Sequence, residues 1–152
     1  MDEEKLNRLP PDVKKQFIKL ASKLSEKKKQ QSVQNDFLAF VKHVWPEFIE
    51  GKHHQKISEK FNKLAKGEIK RLIINMPPRH TKSEFASFLL PSWMVGRKPD
   101  LKIIQTTHTT ELAIRFGRKA KTLMDSPEYK KVFDTRLRED SQAAGKWETE
   151  QG

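Results

Sequence analysis

The sequence predicts an α/β fold: a P-loop-type parallel sheet, incomplete within these residues, preceded by a helical N-terminal segment. Three observations predict it. Leu72, Ile73 and Ile74 form an aliphatic, β-branched run stopped abruptly by Asn75, Pro77 and Pro78, as a short buried strand is. Lys82 and Ser83 follow, and then an apolar stretch at helical spacing, so strand, tight loop, Lys-Ser and helix come in the order of a phosphate-binding loop. Leu101–Thr107 reads as a second strand, with Thr106, Thr107 and His108 at its carboxyl end, where open α/β sheets bind ligands, although a Thr there more often only caps the next helix.

The remaining elements follow in order. The first segment, residues 1–34, is highly charged. Val13, Phe17, Leu20, Ala21 and Leu24 recur at helical spacing after Pro10, Pro11 and Asp12, giving one narrow apolar stripe that fades into the lysine tract at 27–29. A solvated amphipathic helix explains this better than a DNA-binding arm. Residues 35–152 form the second unit. Phe37, Phe40, Val41, Val44 and Trp45 share a helix face, capped by Asn35 or Asp36 and stopped by Pro46. A third helix opens at His53-His54-Gln55, carries Ile57, Phe61 and Leu64, and closes at Gly67. The helix after the loop buries Phe85, Phe88, Leu89 and Trp93. Pro91 is expected to kink it or end it early, and Gly96 to finish it. A helix over about 110–124 buries Leu112, Ala113, Phe116, Ala120 and Leu123, and carries Arg115, Arg118 and Lys119 on its other face. Those cations suit a DNA backbone or a neighbouring subunit, but a solvated face is the simpler reading. Ser126-Pro127-Glu128 starts a short helix with Tyr129, Val132 and Phe133. Beyond Asp134 the chain is polar until Trp147, and no compact element is expected there.

Bulk properties narrow the function. The 152 residues suffice for one domain with a real core. Lys and Arg number 31 against 20 acids, a net charge of +11 that favours an anionic partner such as nucleic acid or nucleotide, or else a solvated lysine surface. There is no cysteine, so disulfides and thiolate metal sites are excluded. The N-terminus lacks a basic-then-apolar signal pattern, and no apolar run approaches membrane-spanning length. A soluble, intracellular protein is expected. The adjacent His53 and His54 have no second pair at ligand spacing, and His43, His80 and His108 are scattered, which argues against a metal site.

The loop departs from the usual Gly-x-x-x-x-Gly-Lys-Ser at both glycines, occupied here by Met76 and Thr81. Thr81 stands where the backbone must approach phosphate closely, so weakened nucleotide binding, relieved by Thr81→Gly, is expected. Arg79 is placed to meet a γ-phosphate, or alternatively to pair with Glu84. The Gln55 amide offers a donor and an acceptor to an adenine edge, or is simply an exposed residue at a helix start.

The run NMPPRHTKSE resembles the ATP-binding loop of phage terminase large subunits, the DNA-packaging motors, where the usual form is PPRHGKSE. The likeness extends, in order, through FLAFVKHVWPEFIEGKHHQKI, KGEIKRLIINMPPRH and PSWMVGRKPDLKIIQTTHTTELAIRFGRKAKTLMDSPEYKKVF. SQAAGKWETEQG is similar to the family's W-x-T-x-x-G-G stretch, and the resemblance spans roughly residues 35 to 152. It implies ATP and Mg2+ as cofactors. Pro78, Arg79, His80, Thr81, Lys82 and Ser83 would form the ATP site, with Gln55 upstream on the adenine. Lys82 and Arg79 would act in catalysis, and Ser83 would hold Mg2+. It further implies double-stranded DNA, a small terminase subunit and a portal protein as partners, a homo-oligomeric ring, and the host cytoplasm as location. No apolar strand ending in acids follows the loop, so the Walker B strand and the nuclease domain of the family are expected past Gly152. The chain then reads as the N-terminal, ATP-binding portion of the motor, without motor-rate hydrolysis of its own. The rival reading is a non-enzymatic basic module that binds nucleic acid or the packaging apparatus.

Overall fold

The computed structural model describes residues 10–143 and 146–152. Helix α1 (Pro11–Asn35) begins with Pro11 in the first turn, where its missing N–H costs nothing, and with Asp12 near the positive helix end. It runs on through the lysine tract to Asn35, because Lys and Gln are good helix formers and no Gly or Pro interrupts them. Val13, Phe17, Ile18, Leu20 and Leu24 are exposed, and Val33 is the residue this helix buries. Its C-terminal end is fastened by hydrogen bonds. The Gln30 and Gln34 amides both donate to the Val132 carbonyl, and the Trp93 indole donates to the Val33 carbonyl at 3.1 Å.

Asp36 ends α1 in extended conformation and caps α2 (Phe37–Val44) by accepting from the Ala39 N–H at 2.7 Å. Its other carboxylate oxygen accepts from the Asn62 amide at 2.7 Å, while Asn62 Oδ1 accepts from the Phe37 N–H at 2.8 Å. This two-way exchange fixes α2 against α3 (Lys52–Ala65). Helix α3 closes as the Gly in the sequence implies. Gly67 has φ +77°, its N–H bonds the Leu64 carbonyl, and the Glu68 N–H bonds that of Lys63, a Schellman arrangement.

After the loop comes α4 (Lys82–Glu84), a π-turn over Phe85–Leu89, and α5 (Leu90–Arg97). Pro91 therefore does not end the helix. The wide turn carries the Leu90 N–H to the Phe85 carbonyl, so Pro91 falls in the first turn of a renewed α segment, where no N–H is needed. Helix α6 (Thr110–Asp125) is capped by Thr109, and α7 (Pro127–Lys130) by Ser126.

Strands β1 (Leu137–Gln142) and β2 (Trp147–Thr149) pair antiparallel, with Leu137 opposite Thr149 and Gln142 opposite Trp147. The sequence gives no apolar alternation in this region. Polar anchors hold the hairpin instead: Arg138 to Asp140 and Glu148, the Thr149 hydroxyl to the Pro99 carbonyl at 2.8 Å, and the Glu150 N–H to the Arg136 carbonyl.

Phe37 lies at the centre of the core. It meets Phe61, Phe85 and Trp93 edge-on, at ring separations of 5.0, 5.4 and 5.5 Å. Phe40 packs on Tyr129 and Phe133. The Tyr129 hydroxyl is buried and donates to the Ser92 carbonyl, and burial drives its pKa well upward.

The expected P-loop-type parallel sheet is corrected by this architecture. The protein is mostly helical, and among the described residues the two-stranded antiparallel hairpin is the one sheet. Leu72–Ile74 and Leu101–Thr107 lie in irregular chain rather than in strands. Leu72 and Ile74 pack on the core while Ile73 between them is 85% exposed, so the alternation of a half-buried strand is present. A strand also needs a neighbour to complete its ladder, which β-branched residues alone do not supply. On the second segment both isoleucines are exposed, Ile103 at 41% and Ile104 at 91%.

Candidate functional site

The loop between Asn75 and Ser83 has an unusual backbone. Arg79 and Thr81 both take positive φ, 64° and 59°, and Thr81 is left-handed with ψ 5°. Each non-glycine residue there costs on the order of 1–2 kcal/mol, and for a β-branched one the conformation is a true outlier. Such strain persists only where the surroundings over-determine it.

Here the surroundings are supplied by α3. His54, 5% exposed, is its third residue. Its Nδ1 accepts from the Gly51 N–H at 2.9 Å, the reach-back half of a capping box. A backbone N–H only donates, so in the neutral ring the proton sits on Nε2. Nε2 stands 2.6 Å from Thr81 Oγ1 and donates to it, and that hydroxyl donates onward to the His80 carbonyl at 2.6 Å. His80 in turn bonds the Pro78 carbonyl through Nδ1 at 2.8 Å. Desolvation between the Phe48 and Phe85 rings lowers the His54 pKa, with His53 and His80 adding to the effect and Glu50 opposing it.

The left-handed Thr81 followed by helical Lys82 is the alternation that turns successive N–H groups into a concave nest. The first helical hydrogen bond is Phe85 N–H to the Thr81 carbonyl at 2.9 Å, so the N–H groups of Lys82, Ser83 and Glu84 precede it. The Lys82 ammonium folds back onto the Met76 carbonyl at 3.1 Å and closes the loop into a ring. Ser83 and Arg79 are exposed. Glu84, the alternative partner for Arg79, is engaged by Lys119 at 2.9 and 3.0 Å, and among the described residues Arg79 makes no ion pair.

The other sequence candidates lie as follows. Pro78, His80, Thr81, Lys82 and Ser83 are contiguous on the loop with Arg79, and Gln55 follows His54 on α3, facing Glu50 rather than solvent alone. Its amide donates to Glu50 Oε1 at 2.6 Å. Glu50 also pairs with Lys42, and these two hydrogen bonds hold its pKa below the usual carboxylate value. The threonine that caps α6 is Thr109, while Thr107 bonds the Thr109 carbonyl. Of the basic face on α6, Lys119 reaches the loop helix and also lies over the Phe88 ring. Sequence reasoning missed His54 as the loop's partner. Its signal was the position three residues after Gly51 at a helix start, a capping pattern that the neighbouring His53 disguised as a metal question. Among the described residues no group of three His, Asp or Glu side chains is arranged to hold a metal ion, and no helix is long and apolar enough to cross a membrane. Comparison with protein-family models, with curated proteins and with solved structures gives no match in any of the three.

Proposed function

We propose that the loop Asn75–Ser83 binds the phosphates of ATP, and that the chain is the ATP-binding N-terminal part of a terminase large subunit that drives viral DNA into a capsid. The observation that carries the reading is the left-handed Thr81 at the head of the Lys82–Arg97 helical run, with Lys82 on the same loop. A nest of N–H groups followed by a lysine is chemistry for an anion with several oxygens. Lys82 would release the Met76 carbonyl and take the β/γ-phosphates. Arg79, exposed and without an acidic partner among the described residues, would steady the γ-phosphate. Ser83 would offer its hydroxyl to a Mg2+ ion brought in by the triphosphate, where the ion's chemistry is to neutralise phosphate charge. Gln55 would leave Glu50 to meet the adenine. In the packaging apparatus the partners would be double-stranded DNA, the small subunit and the portal, in a ring in the host cytoplasm. These rest on the sequence resemblance.

The test is thermal unfolding with and without Mg·ATP. Stabilisation that grows with nucleotide concentration and vanishes in Lys82→Ala is expected. No nucleotide effect, together with DNA binding that weakens steeply with salt, would transfer the assignment to the basic nucleic-acid-binding module that the +11 charge also suits.

A further inference from the structure

We infer that neutral His54 is the positioning residue of this loop, and that adding a proton to its ring sets Nδ1–H against the Gly51 N–H, displaces the ring that holds Thr81 and so dismantles the anion-binding nest. The inference deepens the phosphate-site reading and rests on it for its binding arm. Its geometry is independent of any ligand.

The relay runs in one direction: Gly51 N–H to His54 Nδ1, Nε2–H to Thr81 Oγ1, and the Thr81 hydroxyl to the His80 carbonyl. Each atom has one role, so the ring is acceptor at one end and donor at the other. Only neutral imidazole with the proton on Nε2 has that character. A protonated ring would point a second N–H at the Gly51 N–H, donor against donor in a buried place. The groups acting on the ring from its surroundings are Glu50 in the preceding turn, His53 on its own helix and His80 on the loop, with the Phe48 and Phe85 rings flanking it. Glu50 favours the cation but is already occupied by Lys42 and Gln55. The two histidines and the desolvation favour the neutral form.

The sign of the pH effect separates this device from plain electrostatics. Acidification makes the whole protein more positive, which by itself would tighten an anion. Loss of the nest loosens it instead. If binding needs the neutral ring, apparent affinity falls about tenfold for each pH unit below the His54 midpoint.

The experiment uses the full chain and 15N-resolved NMR between pH 8 and 5, with sulfate as probe because its charge is constant over that range. In the free protein the ring should show the Nε2–H tautomer at high pH, and the Thr81 amide should shift with the same midpoint as His54. Sulfate-induced shifts at Lys82 and Ser83 should weaken through that midpoint. His54→Gln, which keeps an N–H for Thr81 but does not titrate, should bind sulfate without this pH dependence. His54→Phe should lose binding at all pH values. A ring protonated on Nδ1 at high pH, a Thr81 amide indifferent to the His54 midpoint, or sulfate binding that strengthens as His54 protonates would each overturn the inference. Coupled titration without sulfate binding at any pH would uphold the relay and count against the phosphate site instead.

Discussion

Replacing Thr81 by glycine tests the loop most directly, because two effects of opposite sign meet at one residue. Glycine removes the left-handed strain, worth about 1–2 kcal/mol. It also deletes Oγ1, the acceptor for His54 Nε2–H in a site where the ring is 5% exposed. Leaving that donor unpaired costs about 1–3 kcal/mol. The freer unfolded chain adds about 0.4–1 kcal/mol against folding. The losses exceed the relief, so Thr81→Gly is expected to destabilise the protein, by about 1 kcal/mol at the centre of the range. The assay is equilibrium urea unfolding of a double-mutant cycle with His54→Phe. In the His54→Phe background the donor is already gone, so the glycine should be neutral or stabilising there, giving a coupling of about 1–3 kcal/mol. A Thr81→Gly protein more stable than the parent, or the same change in both backgrounds, refutes the reasoning.

Other expectations are simpler. At Gly96 an added Cβ would lie 2.5 Å from the Tyr129 hydroxyl oxygen and 2.6 Å from the Phe133 ring, both buried, so Gly96→Ala should lose about 1–3 kcal/mol in the same urea assay; a change within experimental error would mean that α7 moves away freely. Asp36→Ala removes the α2 cap and leaves the Asn62 amide without its acceptor, for about 1–3 kcal/mol, whereas Asp36→Asn should restore part of it; equal losses in the two variants would remove the cap from the account. The described residues hold no carboxylate on the loop free to activate water, since Glu84 is bound by Lys119, so phosphate release from ATP should stay near the uncatalysed background; turnover at a motor's rate would require a base elsewhere.

Helical elements were legible because their signals are local. Asp36, Gly67 and Ser126 punctuate the chain where caps and stops belong, and the faces of Phe37, Phe61 and Trp93 follow the helical period. The sheet was misread because Leu72–Ile74 and Leu101–Thr107 carry strand composition, but pairing depends on chain elsewhere. The hairpin was invisible because hydrogen bonds from Arg138 and Thr149 hold it rather than an apolar rhythm. Within the site, the loop residues stood out as a cluster, yet the side chain that shapes them is 27 residues away in sequence. Proximity of that kind follows from the packing of α3, which no spacing rule encodes.

The π-turn at Phe85–Leu89 has a consequence for engineering. It joins the polar start of the helix, where Lys82 and Glu84 meet Met76 and Lys119, to the apolar end, where Trp93 enters the aromatic cluster. Deleting one residue from it would restore an even pitch and leave the two halves nearly in phase, because the wide turn spends one residue more than an α turn on about the same rotation. Pro91 would then fall back into a helix interior, so the extra residue is what lets a proline sit in this helix without an unmet hydrogen bond.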